Sequence, residues 1–150
     1  MGNDPWKVFL DTSVIIAGLF SPTGGAHEIL RLCETQVISG FISRQVVIEG
    51  DRNLTAKLPA ALPLFHELLR SLALHILDDP PAAAVQEAAR WIHFKDAPIL
   101  AAAQLAQVDW VITHDVRHFK VKTVQALPLK IGTPGEFLDA FRQWVEERGS

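Results

Sequence analysis

This chain has a single cysteine, no long apolar run, no excess of positive charge and no internal repeat or low-complexity tract. Each lack removes a class of explanation. Cys33 has no partner for an internal disulfide, and it sits at helical core spacing with Ala26, Ile29 and Leu30. It reads as a small buried hydrophobe, not as a nucleophile or a metal ligand. Apolar stretches such as residues 98–106 stop well short of the roughly 18 to 20 residues that a membrane-spanning helix needs. Near the N-terminus Asp11 breaks the segment from Trp6 to Phe20, so no secretory leader is expected and the cytoplasm is the default compartment. A formal charge of −3 excludes a protein that coats nucleic acid by charge alone, while leaving room for a local basic rim around an acidic centre.

What remains is a chain of 150 residues, 49% of them hydrophobic, enough for one real core and too short to suggest two. One domain over residues 1–150 is expected. Strands are predicted over residues 7–10, 37–42, 74–77, 110–113 and 129–131. A loop at Ser21 to Gly25 leads into an amphipathic helix carrying Ala26, Ile29, Leu30 and Cys33. Ser43 can cap a helix over about residues 44–54, whose end Gly50 leaves open. Another helix follows Pro63 with an apolar stripe of Phe65, Leu68, Leu69 and Leu72. Helices are also predicted over residues 82–92 and from about Lys95 onward, since Lys95 and Pro98 break the pattern between them. Thr133 to Glu136 has the form of a capping box with proline at the first helical position, and the final helix should bury Phe137, Phe141, Trp144 and Val145. Strands alternating with helices imply an α/β fold: a three-layer α/β/α sandwich around a mostly parallel sheet of about five strands.

The run from Val8 to Ile16, VFLDTSVII, poses a sharper question, because it places a carboxylate and two hydroxyls in the middle of apolar chain. A carboxylate in apolar surroundings is costly unless it is paired, hydrogen-bonded or bound to a metal. In open α/β sheets the ligand site lies beyond the C-terminal ends of the strands. Asp11 ends the first predicted strand, Asp115 follows the fourth by two residues, and Asp96 opens the helix that leads into the fourth. Glu49 lies about two turns into the helix after the second strand, roughly 9 Å from its start at 1.5 Å per residue. All four point to one edge. Asp109 opens the fourth strand, belongs to the opposite edge and is excluded.

Two carboxylates about 4 Å apart repel by roughly 4 kcal/mol at an effective dielectric near 20, so such a group calls for divalent cations. All-oxygen donors suit Mg²⁺ or Mn²⁺. A two-metal site of this kind supports hydrolysis of a phosphodiester by activated water. Ser13 and Thr113 are candidates to orient the carboxylates. Arg44, Arg52, Lys95, Arg117, Lys120 and Lys122 fall near the same edge and are candidates for phosphate contacts, although scattered surface charge explains them as well. Taken singly, Asp96 reads equally as a helix N-cap, Asp115 as a turn residue and Glu49 as a solvated helix position. His114 and His118 flank Asp115, but no third histidine is near to complete a zinc site.

In the order VFLDTSVIIAGL, SRQVVIEG, KDAPILAAA and WVITHDVRHF, these segments resemble those of PIN-domain ribonucleases, of the kind found as toxins of toxin–antitoxin modules. The resemblance spans nearly the whole chain. It implies a parallel sheet of about five strands, Mg²⁺- or Mn²⁺-dependent RNA cleavage, frequent homodimers and a cognate antitoxin. Carried over position by position, it makes Asp11, Glu49, Asp96 and Asp115 the acidic quartet. Ser13 stands where many relatives have asparagine, and Asp51 competes with Glu49 for the second acidic place. Two other readings stay open: a non-catalytic PIN scaffold that binds RNA or protein, and a receiver-type phosphoacceptor domain using Asp11, Asp78 or Asp79, Thr113 and Lys130.

Overall fold

The structure, a computed structural model, describes residues 4–119 and 127–149. Its elements run β1 (Lys7–Leu10), α1 (Thr12–Phe20), α2 (Gly25–Glu34), β2 (Ser39–Ser43), α3 (Arg44–Lys57), α4 (Leu62–Ser71), β3 (His75–Leu77), α5 (Ala82–Ala88), α6 (Ala97–Leu105), β4 (Trp110–Ile112), β5 (Lys130–Gly132) and α7 (Pro134–Gly149). Short 3-10 turns at Pro59–Ala61 and Val116–Phe119 precede α4 and follow β4. The five strands form one sheet in the order β3-β2-β1-β4-β5, and every neighbouring pair is parallel. The expected α/β architecture is what the chain adopts.

β1 lies at the centre because Val8, Phe9 and Leu10 are fully buried, and a strand covered on both faces reads as an unbroken apolar run rather than an alternating one. From β1 the chain winds outward through β2 to β3, then returns to place β4 on the other side of β1. The crevice beyond β1 and β4 is therefore the switch point of the sheet, where such folds bind their ligands. The registers set Leu10 beside Ile112 and Phe9 beside Val111, so β1 and β4 end together.

Several elements differ from expectation. The helix α1 has no counterpart in the predicted set, because TSVIIAGLF is apolar nearly all round and shows no amphipathic contrast. α3 continues through Gly50 to Lys57. Gly50 is buried there, and a β-carbon on it would run into the ring of Phe65 on α4, so glycine serves close helix packing and not helix termination. α5 ends at Ala88, β2 begins at Ser39, and β5 is displaced by one residue to Lys130–Gly132. In α7 Phe137 and Phe141 are buried as expected and Trp144 is partly so, but Val145 is 47% exposed and turns away from the core.

The caps behave as their chemistry requires. Ser43 Oγ accepts from the Val46 amide at 3.3 Å and starts α3 directly at the end of β2. Thr133 and Glu136 close a reciprocal box at the start of α7, with the Thr133 amide donating to Glu136 Oε1 at 3.1 Å and the Glu136 amide donating to Thr133 Oγ1 at 3.2 Å. Edge-to-face contacts of Trp6 with Phe137 and Phe141, and of Trp110 with Phe137, seat α7 against the strands. Cys33 is buried in the core beside Gly40 of β2, and burial pushes its thiol up to about 12.

Candidate active site

Asp11 occupies the single residue between β1 and α1. Its amide donates to Ile112 O at 3.0 Å, continuing the β1–β4 ladder by one step, while its carbonyl accepts from the Val14 amide at 3.0 Å and opens α1. The backbone is thus held by the sheet on one side and the helix on the other. Its side chain does not cap α1. Instead Oδ2 accepts hydrogen bonds from Thr113 Oγ1 at 2.8 Å and from Ser13 Oγ at 3.2 Å.

Those hydroxyls carry the geometry onward. Thr113 Oγ1 accepts from the Asp115 amide at 3.0 Å, and Ser13 Oγ accepts from the His114 amide at 3.3 Å. Each hydroxyl therefore donates to Asp11 and accepts from the loop after β4, tying Asp115 to Asp11 across two strand ends. Thr113 has no exposed surface, so its hydroxyl depends on these partners rather than on water.

Thr12, the other hydroxyl of the run, serves a different carboxylate. Its Oγ1 lies 3.2 Å from Glu49 Oε2 and 3.4 Å from the Val46 carbonyl, and Gln45 Nε2 donates to Glu49 Oε1 at 3.2 Å. Glu49 is held at both oxygens. Asp51, the competing carboxylate, is turned to His66 at 2.6 Å on an exposed part of α3 and α4. Asp96 immediately precedes α6 in helical backbone conformation, and its side chain makes no capping hydrogen bond.

Asp11, Glu49 and Asp96 line one cleft of about 740 Å³, together with Arg52, Lys57 and Lys95. Asp115 joins this group through Thr113, and Arg117 Nε lies 3.6 Å from its Oδ1. Arg44, the first residue of α3, is exposed at the same sheet edge but does not line the cleft. Lys120 and Lys122 lie outside the described residues. Asp109 is at the opposite edge, as expected, where its Oδ2 accepts from the Lys7 amide at 2.8 Å.

Among the described residues no three acidic, histidine or cysteine side chains stand close enough together to enclose an ion. The donor type nevertheless fits a hard cation, since three carboxylates line the cleft and no cysteine or histidine lines it with them. His114 belongs to no group of three such side chains among those residues.

Thr12, Gln45 and Lys57 were not among the sequence candidates. Thr12 was signalled only by its place beside Asp11, since its partner lies 37 positions away. The receiver-type assembly does not form: β2 separates the end of β3, with Asp78 and Asp79, from Asp11, and Lys130 opens β5 at the opposite edge of the sheet, beside Asp109.

The model of the PIN domain family matches residues 7–117. No curated protein matches significantly. Among solved structures, the chain is similar to a FitAB complex bound to an IR36 DNA fragment, with a TM-score of 0.66 at 20% identity over 85% of this chain and 94% of the other. It is similar to VapBC from Salmonella typhimurium bound to DNA, with a TM-score of 0.61 at 20% identity over 86% and 98% of the two chains. It is also similar to VapC20 from Mycobacterium tuberculosis, described as a toxin that cleaves the sarcin-ricin loop, with a TM-score of 0.51 at 18% identity over 69% and 86%. At these identities the likeness is one of fold.

Proposed function

The chain belongs to the PIN-domain family, and from that premise we propose that it is a metal-dependent endoribonuclease acting as the toxin of a toxin–antitoxin pair. The observation that carries the reading is that Asp11, Glu49 and Asp96, from three separate segments, line one cleft, with Asp115 tied to Asp11 through Thr113. Asp11, Glu49, Asp96 and Asp115 would hold Mg²⁺ or Mn²⁺, and the bound ions would supply an activated water and neutralise charge on the phosphate.

The chain's own residues do the rest. Ser13 and Thr113 set the rotamer of Asp11, and Thr12 and Gln45 set that of Glu49, so the donors are held before substrate arrives. Carboxylates alone would repel the RNA backbone. Arg52 and Lys95 in the cleft, with Arg44 exposed at the start of α3 and Arg117 beside Asp115, offset that repulsion and contact phosphates on either side of the cleaved bond.

The FitAB and VapBC structures are complexes, which supports an antitoxin as the physiological partner. We place the protein in the cytoplasm as a single-domain chain that forms a homodimer; no helix among the described residues is long and apolar enough to cross a membrane.

The test is cleavage of a panel of RNAs by wild type and Asp11→Asn, with Mg²⁺, Mn²⁺ or a chelator. The expected result is cleavage that needs the metal and falls by about 100-fold or more in the variant. Equal, metal-independent cleavage by both proteins would remove the mechanism, and no cleavage by either across the panel would favour a binding scaffold.

A further inference from the structure

The proposed mechanism gives no role to Phe20. It is the last residue of α1, it is 49% exposed, and it lines the same cleft as Asp11, Glu49 and Asp96. An isolated exposed phenylalanine on a convex surface needs no explanation. This one lies inside a concavity and shares its lining with Arg52, Asn53 and Lys57 of α3. The cleft is mixed, with Ile16, Leu54 and Leu58 sharing it with Arg52, Lys57 and Lys95, and so differs from the continuous apolar groove that receives a protein helix. It matches the pairing of aromatic face and positive charge by which proteins hold unpaired nucleotides.

The distance also fits. Asp11 stands at the N-terminal end of α1 and Phe20 closes it, so the two are separated by about 13 Å at 1.5 Å per residue. Phe20 is therefore set apart from Asp11 along α1, yet it lines the same cleft. Lys57 lies on the neighbouring wall from α3, and the packing of α1 against α3 fixes one relative to the other.

We propose that Phe20 is a substrate-positioning residue: its ring stacks on one unpaired base next to the cleavage position, while Arg52 and Lys57 hold the adjoining phosphates. This rests on the nuclease reading, and it adds that the strand must be unpaired at the stacked nucleotide, because a base in a duplex offers no free face.

The test uses the Asp11→Asn protein with Mg²⁺ and a 5′-fluorescein oligoribonucleotide of mixed sequence, either single-stranded or annealed to its complement, read by fluorescence anisotropy. Phe20→Ala in that background should weaken single-strand binding by about 5- to 100-fold. Phe20→Trp should keep it within a few-fold, and neither change should alter the weaker binding of duplex. Lys57→Gln should lower the dependence of log K on log salt by about 0.7. With Asp11 intact, Phe20→Ala should raise KM while leaving kcat nearly unchanged. Equal melting temperatures of the Phe20 variants and their parent show that the ring is not needed for folding. Equal single-strand affinity of the parent and Phe20→Ala overturns the proposal, as does failure of the parent to bind the single strand, or the same loss for duplex. Failure of the nuclease reading appears separately, as cutting of the oligonucleotide by the Asp11→Asn protein at the wild-type rate.

Discussion

Thr113→Val is the most direct probe of how the acidic site is held. Valine reproduces the shape of threonine, so the fully buried position keeps its packing and loses only the hydroxyl. Two bonds go with it: the donation to Asp11 Oδ2 at 2.8 Å and the acceptance from the Asp115 amide at 3.0 Å. A hydrogen bond to a charged group contributes about 1.5–3 kcal/mol when both partners are shielded from water. Asp11 is only partly buried and keeps Ser13, so water recovers part of that loss. The expected cost in stability is about 1–2 kcal/mol, or a fall of roughly 2–8 °C in Tm for a chain of this size. The functional effect should be larger, because Asp11 loses its shorter brace and the loop bearing Asp115 loses its tether. Weakening the partners that orient a metal-binding carboxylate costs about 10- to 100-fold in metal affinity or activity. Cleavage measured against Mn²⁺ concentration should shift to higher metal by that factor, with calorimetric Mn²⁺ titration as an independent readout. Ser13→Ala, at the longer 3.2 Å contact, should shift it less. A Thr113→Val protein with unchanged metal dependence and normal activity would refute the idea that this hydroxyl organises the site.

Other outcomes follow from neighbouring features. Glu49→Gln should abolish most metal-dependent cleavage, whereas Asp51→Asn should leave it intact and cost at most about 1 kcal/mol, since Asp51 pairs with His66 on an exposed surface; the reverse ranking in a cleavage assay would reassign the second acidic position. Gly50→Ala should lower stability by about 1–3 kcal/mol in urea denaturation, despite alanine's better helix propensity, because its methyl meets the Phe65 ring; a more stable variant would contradict that packing. The Cys33 thiol should resist thiol reagents in the folded protein at pH 8. Its folded pKa of about 12 is raised above the ordinary 9.0 by burial, so the neutral form is favoured on folding. That contribution is complete below pH 9 and is lost as pH rises from 9 towards 12. Urea melts of wild type and Cys33→Ala across that range should show the gap between them narrowing.

Much of the fold was legible because it is encoded locally. The unbroken apolar run of β1, the serine at the end of β2, the capping box of α7 and the regular alternation of strands with helices each state a local requirement for burial or hydrogen bonding. Those requirements suffice to predict a parallel sheet and to direct the four acidic candidates to one of its edges. Local pattern failed where burial was complete or where a partner was remote. α1 is apolar on nearly every side and gave no helical stripe, and Gly50 looked like a helix end because its reason, Phe65, is on another helix.

The order of residues along the chain was enough to bring carboxylates to a common edge, since a strand's direction decides which end carries Asp11 and Asp115, and the start of a returning helix lies at that same end with Glu49 and Asp96. Only tertiary structure could decide which group braces which: Thr113 meets Asp11 across 102 positions, Thr12 meets Glu49 across 37, and Asp51 turns away to His66. A hydroxyl adjoining an acid in the sequence has several possible acceptors within reach, and the choice is made by how neighbouring strands and helices pack, which no short segment encodes.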